Sequence, residues 1–177
     1  MKKTDVIFER RSIRSYTGEP VSQEDLRLIL KAGMAAPSAR NSRPWEFIVI
    51  QNRDMLKEMS AVRPYWKMLD KAGAAIVVLA NLKGYQSSHR NFFIQDCAAA
   101  TENMLLAAAG LGLGAVWLGL HPIQEAEEAM RQMLAIPEEV VPFAVVSIGH
   151  PGEEAAAHEA YEAGGVGWEG VGEEAAR

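Results

Sequence analysis

Along the chain, the spacing of apolar positions switches between the periods that mark helices and strands. After Ser22, the residues Leu26, Ile29 and Leu30 fall on one helical face, and Ala32 and Ala36 continue it. Ser22 is placed to cap this helix, Asp25 to reach back to it, and Pro37 to stop it. A short helix over residues 3–10 precedes it. Residues 45–50 read as a strand, and 53–60 and 64–72 as two helices. Residues 75–80 form a continuous apolar run of strand length, so both its faces are expected to be covered. Residues 91–109 predict a long helix that is apolar almost all round after Asp96, as suits a core or a subunit interface. A short strand over 115–118 follows. Pro122 then opens a helix to about Ala135, and residues 140–148 form a last strand with Pro142 tolerated near its start.

Strands alternating with helices imply a sheet sandwiched by helices. No repeat or linker divides the chain, and 177 residues suit a single domain over 1–177. The tail from Gly152 is rich in Ala, Glu and Gly, with Gly165-Val166-Gly167-Trp168 as one anchoring stretch. Residues 104–123 carry no formal charge, and about 20 apolar residues could span a bilayer. Gly110, Gly112, Gly114 and Gly119 weaken that reading, and so does the acidic flank Glu125, Glu127 and Glu128. A buried helix, a glycine turn and a buried strand are expected instead, with no membrane partner.

Charge changes the picture. The net charge is −5, but residues 1–90 hold 16 Lys and Arg against 9 Asp and Glu, whereas residues 91–177 hold 2 against 14. The first half is therefore +7 and the second −12. A basic first half suits an anionic ligand, while an acidic chain without a basic aromatic stripe is a poor nucleic-acid binder. Cys97 is the only cysteine, which excludes an internal disulfide and favours a reducing, cytoplasmic setting. The N-terminus lacks the apolar stretch of a secretory signal. His89, His121, His150 and His158 are scattered, and no metal site is expected.

Three segments carry candidate chemistry. Arg10-Arg11-Ser12-Ile13-Arg14 gathers three guanidiniums and a hydroxyl, a set suited to phosphate oxygens; the alternative is a solvated basic turn. Residues 37–45, Pro-Ser-Ala-Arg-Asn-Ser-Arg-Pro-Trp, form a polar loop bounded by prolines. It could grip a ligand edge or simply join a helix to a strand. Residues 110–115 match GxGxxA, but they follow a helix and open a strand, the reverse of a dinucleotide-binding turn. The strand-end backbone at 117–119 is then free to face a ligand. No nucleophilic or acid–base constellation is visible, so an enzyme of this kind needs a cofactor to carry its reaction.

Taken together, RRSIRSY at 10–16, APSARNSRPWEF at 36–47, QDCAAATENMLLAAAGLGLGAVWLG at 95–119 and VPFAVVSIGHP at 141–151 resemble the FMN-dependent nitroreductase family, in its small subgroup. The resemblance implies an α+β sandwich with a central mixed sheet flanked by helices, and a homodimer with FMN at its interface. It implies that Arg10, Arg11, Ser12 and Arg14 surround the FMN phosphate and ribityl chain. Arg14 would lie near the N1/O2 edge and stabilise the reduced flavin. Pro37, Ser38, Ala39 and Asn41 would come from the other subunit, and backbone at Leu118 and Gly119 would face the ring near N5. NAD(P)H is the implied co-substrate, in a ping-pong cycle that reduces nitroaromatics, quinones or similar planar electrophiles. No catalytic side chain is implied, since the flavin carries the chemistry. The family places a Lys or Arg after the last strand, but residues 152–176 hold none, so the N-terminal arginines are left to hold the phosphate. Arg43 stands where a Gln is common and is a candidate for the missing charge. A flavin-binding carrier or sensor with little turnover is the alternative reading.

Overall fold

The apolar run expected as a buried strand lies inside a four-stranded sheet. The computed structural model describes residues 4–83, 91–156 and 166. In chain order the elements are α1 (Asp5–Glu9), α2 (Gln23–Met34), a 3-10 turn (Ala39–Asn41), β1 (Trp45–Ile50), α3 (Arg53–Ser60), a 3-10 segment (Pro64–Lys71), β2 (Ala74–Asn81), α4 (Phe92–Gly110), β3 (Gly114–Gly119), α5 (Gln124–Leu134) and β4 (Val140–Gly149). The strand order is β1-β2-β4-β3. All three pairings are antiparallel. Among the described residues, the expected mixed sheet is met only by an isolated parallel bridge, Ser12 to Ala115. Apolar runs record that both faces of a strand are covered, not which way its neighbours run.

β2 is covered on both faces, as expected. Ala74, Ile76, Val78 and Ala80 turn toward α2 and α4, with Ala144, Val146 and Ile148 of β4 beside them. Ala75, Val77 and Leu79 turn toward α3, the 3-10 segment and α5, with Val116, Leu118 and Val145. The β2–β4 register slips where Val78 pairs Ala144 but Leu79 pairs Pro142, leaving Phe143 as the extra residue of a bulge. Pro142 is thereby accommodated in an interior strand.

The local signals act as read at several ends. The Ser22 hydroxyl accepts from the Asp25 N–H at 3.0 Å and donates to the Asp25 carboxylate at 2.7 Å. Residues 64–71 are 3-10 rather than α-helical, with Pro64 in the first turn. α5 starts at Gln124, after a cis His121–Pro122 bond. α4 buries Phe93, Asp96, Cys97, Ala100, Thr101, Met104, Leu105 and Ala108, but leaves Phe92 and Ile94 each 40% exposed. Gly112, with φ 74°, turns the chain from α4 into β3. Among the described residues, no helix is long and apolar enough to cross a membrane. The 165–168 stretch lies outside the described residues except for Val166, which is exposed.

Candidate functional site

The arginine-bearing segment meets the free edge of β3 at Ser12 and Ile13 and then crosses to the end of β4. The Ile13 N–H donates to the Ala115 carbonyl at 3.0 Å, beside the Ser12–Ala115 bridge. A Cβ on Gly114 would stand 2.6 Å from Ile13 Cγ2, so this close approach requires glycine. Tyr16 anchors the far end: its ring is buried, and its hydroxyl lies 2.9 Å from the Ile13 carbonyl and 3.2 Å from that of Ser147. Burial, the largest influence, raises the Tyr16 pKa and keeps the phenol neutral. Thr17 N–H donates to His150 O and Gly152 N–H to Ser15 O, tying the segment to the chain beyond β4.

With its backbone so fixed, the segment presents Ser12 and Arg14 to solvent and half-buries Arg10 and Arg11. Arg10 Nε lies 3.4 Å from Glu102 of α4. Arg11 donates to the carbonyls of Phe8, Arg10 and Ala156 at 2.7–2.9 Å. Arg14 Nη1 reaches only the Ser12 carbonyl among the described residues, at 3.4 Å. A cleft of about 230 Å³ opens here, lined by Arg10, Arg11, Leu105, Gly114, Glu9 and Glu153 among others. Glu153 Oε1 accepts from the adjacent N–H groups of Arg14 and Ser15 at 2.6 and 3.0 Å. The backbone at 14–15 is therefore built to receive an anionic oxygen. Nothing in the spacing of the acidic tail singled out Glu153.

The polar loop lies elsewhere. It leads into β1, at the opposite edge of the sheet from β3, three strand spacings or about 14 Å away. The cleft at Arg10 and Arg11 is lined by none of residues 37–43. The loop's backbone is strained: Arg40, Asn41 and Arg43 have φ of 54°, 56° and 46°. Left-handed backbone costs a non-glycine residue about 1–2 kcal/mol. Side chains hold it there. Ser38 Oγ accepts from the Arg43 N–H at 3.0 Å, and Arg43 Nε donates to Asn41 Oδ1 at 2.9 Å. Asp96 of α4, only 4% exposed, accepts from the Ala39 N–H at 2.8 Å and from Ser42 Oγ at 3.3 Å. Pro37 and Asn41 are exposed, and Ser38 and Ala39 half-buried. Sequence reasoning passed over Asp96. Its signal is a carboxylate interrupting an apolar helix, since a buried carboxylate needs partners. Arg43 sits with this loop, so within one chain it does not join Arg10, Arg11 and Arg14.

At the end of β3, Leu118 is buried while Gly119 is exposed with open space where a side chain would project. Because the Ala115 carbonyl faces the free edge, strand alternation turns the backbone groups of Trp117 and Gly119 the same way and those of Leu118 toward β4. Gly119 rather than Leu118 therefore turns its backbone groups toward the free edge. Ala115 and Gly119 are about 13 Å apart at ~3.3 Å per residue. His121 Nδ1 lies 2.9 Å from Glu127 Oε1, and Phe93 packs edge-on against its ring at 5.3 Å. Cys97 is buried, with burial as the main cause and Asp96 as a second raising its pKa to about 12. It is a core thiol. No group of three potential metal ligands occurs among the described residues.

Comparisons with known proteins agree on one lineage. The model of the Nitroreductase family matches residues 7–64 and 53–150. A protein of Archaeoglobus fulgidus, provisionally named NADH dehydrogenase/NAD(P)H nitroreductase, is 50% identical over 155 residues, 88% of each chain. A Clostridium acetobutylicum structure, provisionally named an NADH oxidase, superposes with a TM-score of 0.89 at 40% identity, covering 94% of this chain and all of its own. A Desulfovibrio desulfuricans structure, provisionally named a nitroreductase and solved with FMN, gives 0.78 at 34% identity, covering 92% of this chain and 94% of that one.

Proposed function

The chain belongs to the Nitroreductase family, and from that premise we propose that it is an FMN-dependent NAD(P)H:acceptor oxidoreductase in which two copies build each flavin site. The observation that carries the reading is the arginine-rich segment bridged onto β3 beside an open strand end at Gly119. Names borne by relatives support the cofactors: NAD(P)H in the Archaeoglobus protein and FMN in the Desulfovibrio structure.

The residues present fit FMN. Two adjacent N–H groups already hold a carboxylate at Arg14 and Ser15, and three guanidiniums lie within five residues of one another. Bound FMN supplies hydride acceptance and donation at N5, which lets NAD(P)H and a planar electrophile such as a nitroaromatic or quinone use one face in turn. The chain's own work is to bind, orient and stabilise charge. Arg10, Arg11 and Ser12 hold the phosphate and ribityl hydroxyls. The Arg14 guanidinium favours negative charge at the N1/O2 edge. Gly119 gives a ring close access to strand backbone. Pro37, Ser38, Ala39 and Asn41 serve the site of the other copy.

The separation of the two halves supports a homodimer, because one sheet keeps them at opposite edges. Exposed apolar side chains on α1 and α4, including Phe8 at 68% and Phe92 at 40%, supply surface for a second copy to cover. The test is an absorbance spectrum of the purified protein before and after anaerobic NADH or NADPH. Flavin bands that bleach, followed by re-oxidation with a quinone or nitroaromatic, are expected. A yellow dimer whose flavin neither nucleotide reduces would make the protein a carrier or sensor. Colourless monomer that ignores added FMN would end the reading.

A further inference from the structure

Asp96 does something its position in an apolar helix does not explain. Its carboxylate is buried at 4% exposure, where an acidic group survives only by bonding. Two of its bonds run 54 or more residues back along the chain, to the loop ahead of β1: the Ala39 N–H at 2.8 Å and Ser42 Oγ at 3.3 Å. Between those two contacts lie Arg40 and Asn41, and Arg43 follows, all three in left-handed backbone. Side chains that favour this geometry weakly on their own must be held in it by something fixed. α4 is fixed: it packs along α2 and beneath the sheet.

We propose that Asp96 is the positioning residue of the flavin site's second half: it clamps the 38–42 turn so that Ser38 and Asn41 are presented ready-made to the ligand of the partner copy. The clamp grips the loop on either side of Arg40 and Asn41. Within it, the Arg43 Nε bond to Asn41 Oδ1 at 2.9 Å orients the Asn41 amide. The ligand-directed part rests on the reading that this loop belongs to the flavin site. The clamp itself rests only on the geometry above.

The two parts are tested separately. Hydrogen exchange across residues 38–43 and trypsin cleavage at Arg40 read the loop in the full-length, FMN-free protein; Arg43 precedes Pro44 and resists cleavage. FMN affinity is then read by titration of the same samples. Asp96→Ala is expected to speed loop exchange and cleavage by about tenfold or more and to weaken FMN binding by a similar factor, since bonds to a charged group are lost. Asp96→Asn keeps an oxygen for the Ala39 N–H and offers an amide N–H to Ser42 Oγ, so it should stay within about threefold of the parent. Thr101→Ala controls for general loosening: it removes a buried hydroxyl that bonds the Cys97 carbonyl at 2.7 Å on the same helix, away from the loop. Loop exchange in Asp96→Ala no faster than in Thr101→Ala would overturn the clamp. Faster exchange with unchanged FMN affinity would overturn the loop's place in the flavin site and leave Asp96 a structural anchor alone.

Discussion

The two halves of the candidate site are held by opposite means. Residues 10–16 are held by backbone: a parallel bridge to β3, a buried tyrosine, and a glycine that admits Ile13 against the strand. Of their side chains, those of Ser12 and Arg14 are left to solvent. Residues 38–43 are held by side chains, with Ser38, Asn41, Arg43 and Asp96 bonding into a backbone that strains against them. The first half is positively charged and keeps its shape mainly through backbone contacts and the buried Tyr16. The second depends on its side chains for shape, and its charged groups, Arg40, Arg43 and Asp96, are of both signs. The contrast predicts different failures.

The largest effect should come from breaking the backbone seat of the first half. Gly114→Val places carbon 2.6 Å from Ile13 Cγ2. It is expected to cost about 1–3 kcal/mol, read from urea unfolding, and to abolish flavin retention. Next are the charges. Arg14→Ala or Arg10→Ala should weaken FMN binding about tenfold without lowering the unfolding midpoint, and should flatten its salt dependence.

In the second half, Arg43→Gln should cost only a few-fold in FMN affinity, about the value of one side-chain hydrogen bond, with the salt dependence unchanged. A flattened salt dependence would instead assign the Arg43 charge to the phosphate, the role its place in the sequence first suggested. A last effect, confined to alkaline solution and remote from flavin binding at neutral pH, concerns Cys97, next to Asp96. Its pKa is raised from 9.0 to about 12 by burial first and Asp96 second. The buried neutral thiol thus contributes stability in full below pH 9, and that contribution is lost as pH rises from 9 toward 12. Chemical denaturation should show stability falling by up to about 1.4 kcal/mol per pH unit in that window. Cys97→Ala should remove the onset near pH 9, leaving the Tyr16 contribution to begin near 10.

Much of the first half was legible in the chain. The arginines lie within five consecutive residues, and the helix–glycine–strand pattern at 91–119 gave the framework they lean on. Strand positions and the Ser22 cap are local signals, and they appear where the spacing put them. Strand direction was not legible, because pairing is set by contacts far apart in sequence. The parallel bridge at Ser12 is one such contact, and the antiparallel course of β1, β2, β4 and β3 is another. The second half was legible only as polar loop residues. Its organising group, Asp96, lies 54 residues from Ser42, and its role depends on α4 passing under the loop. Glu153 was hidden in the same way, since it meets Arg14 only because β4 returns beside the start of the chain.

Two damaged proteins, one carrying Arg10→Ala with Arg14→Ala and the other Ser38→Ala with Asn41→Ala, test most directly whether two copies share each site. Each alone should bind FMN weakly. Unfolded together and refolded as a mixture, they should regain tight FMN binding at about one site per mixed dimer, because two-fold symmetry then pairs one intact first half with one intact second half. If the mixture binds no better than either variant alone, both halves act within a single chain and the shared site is wrong.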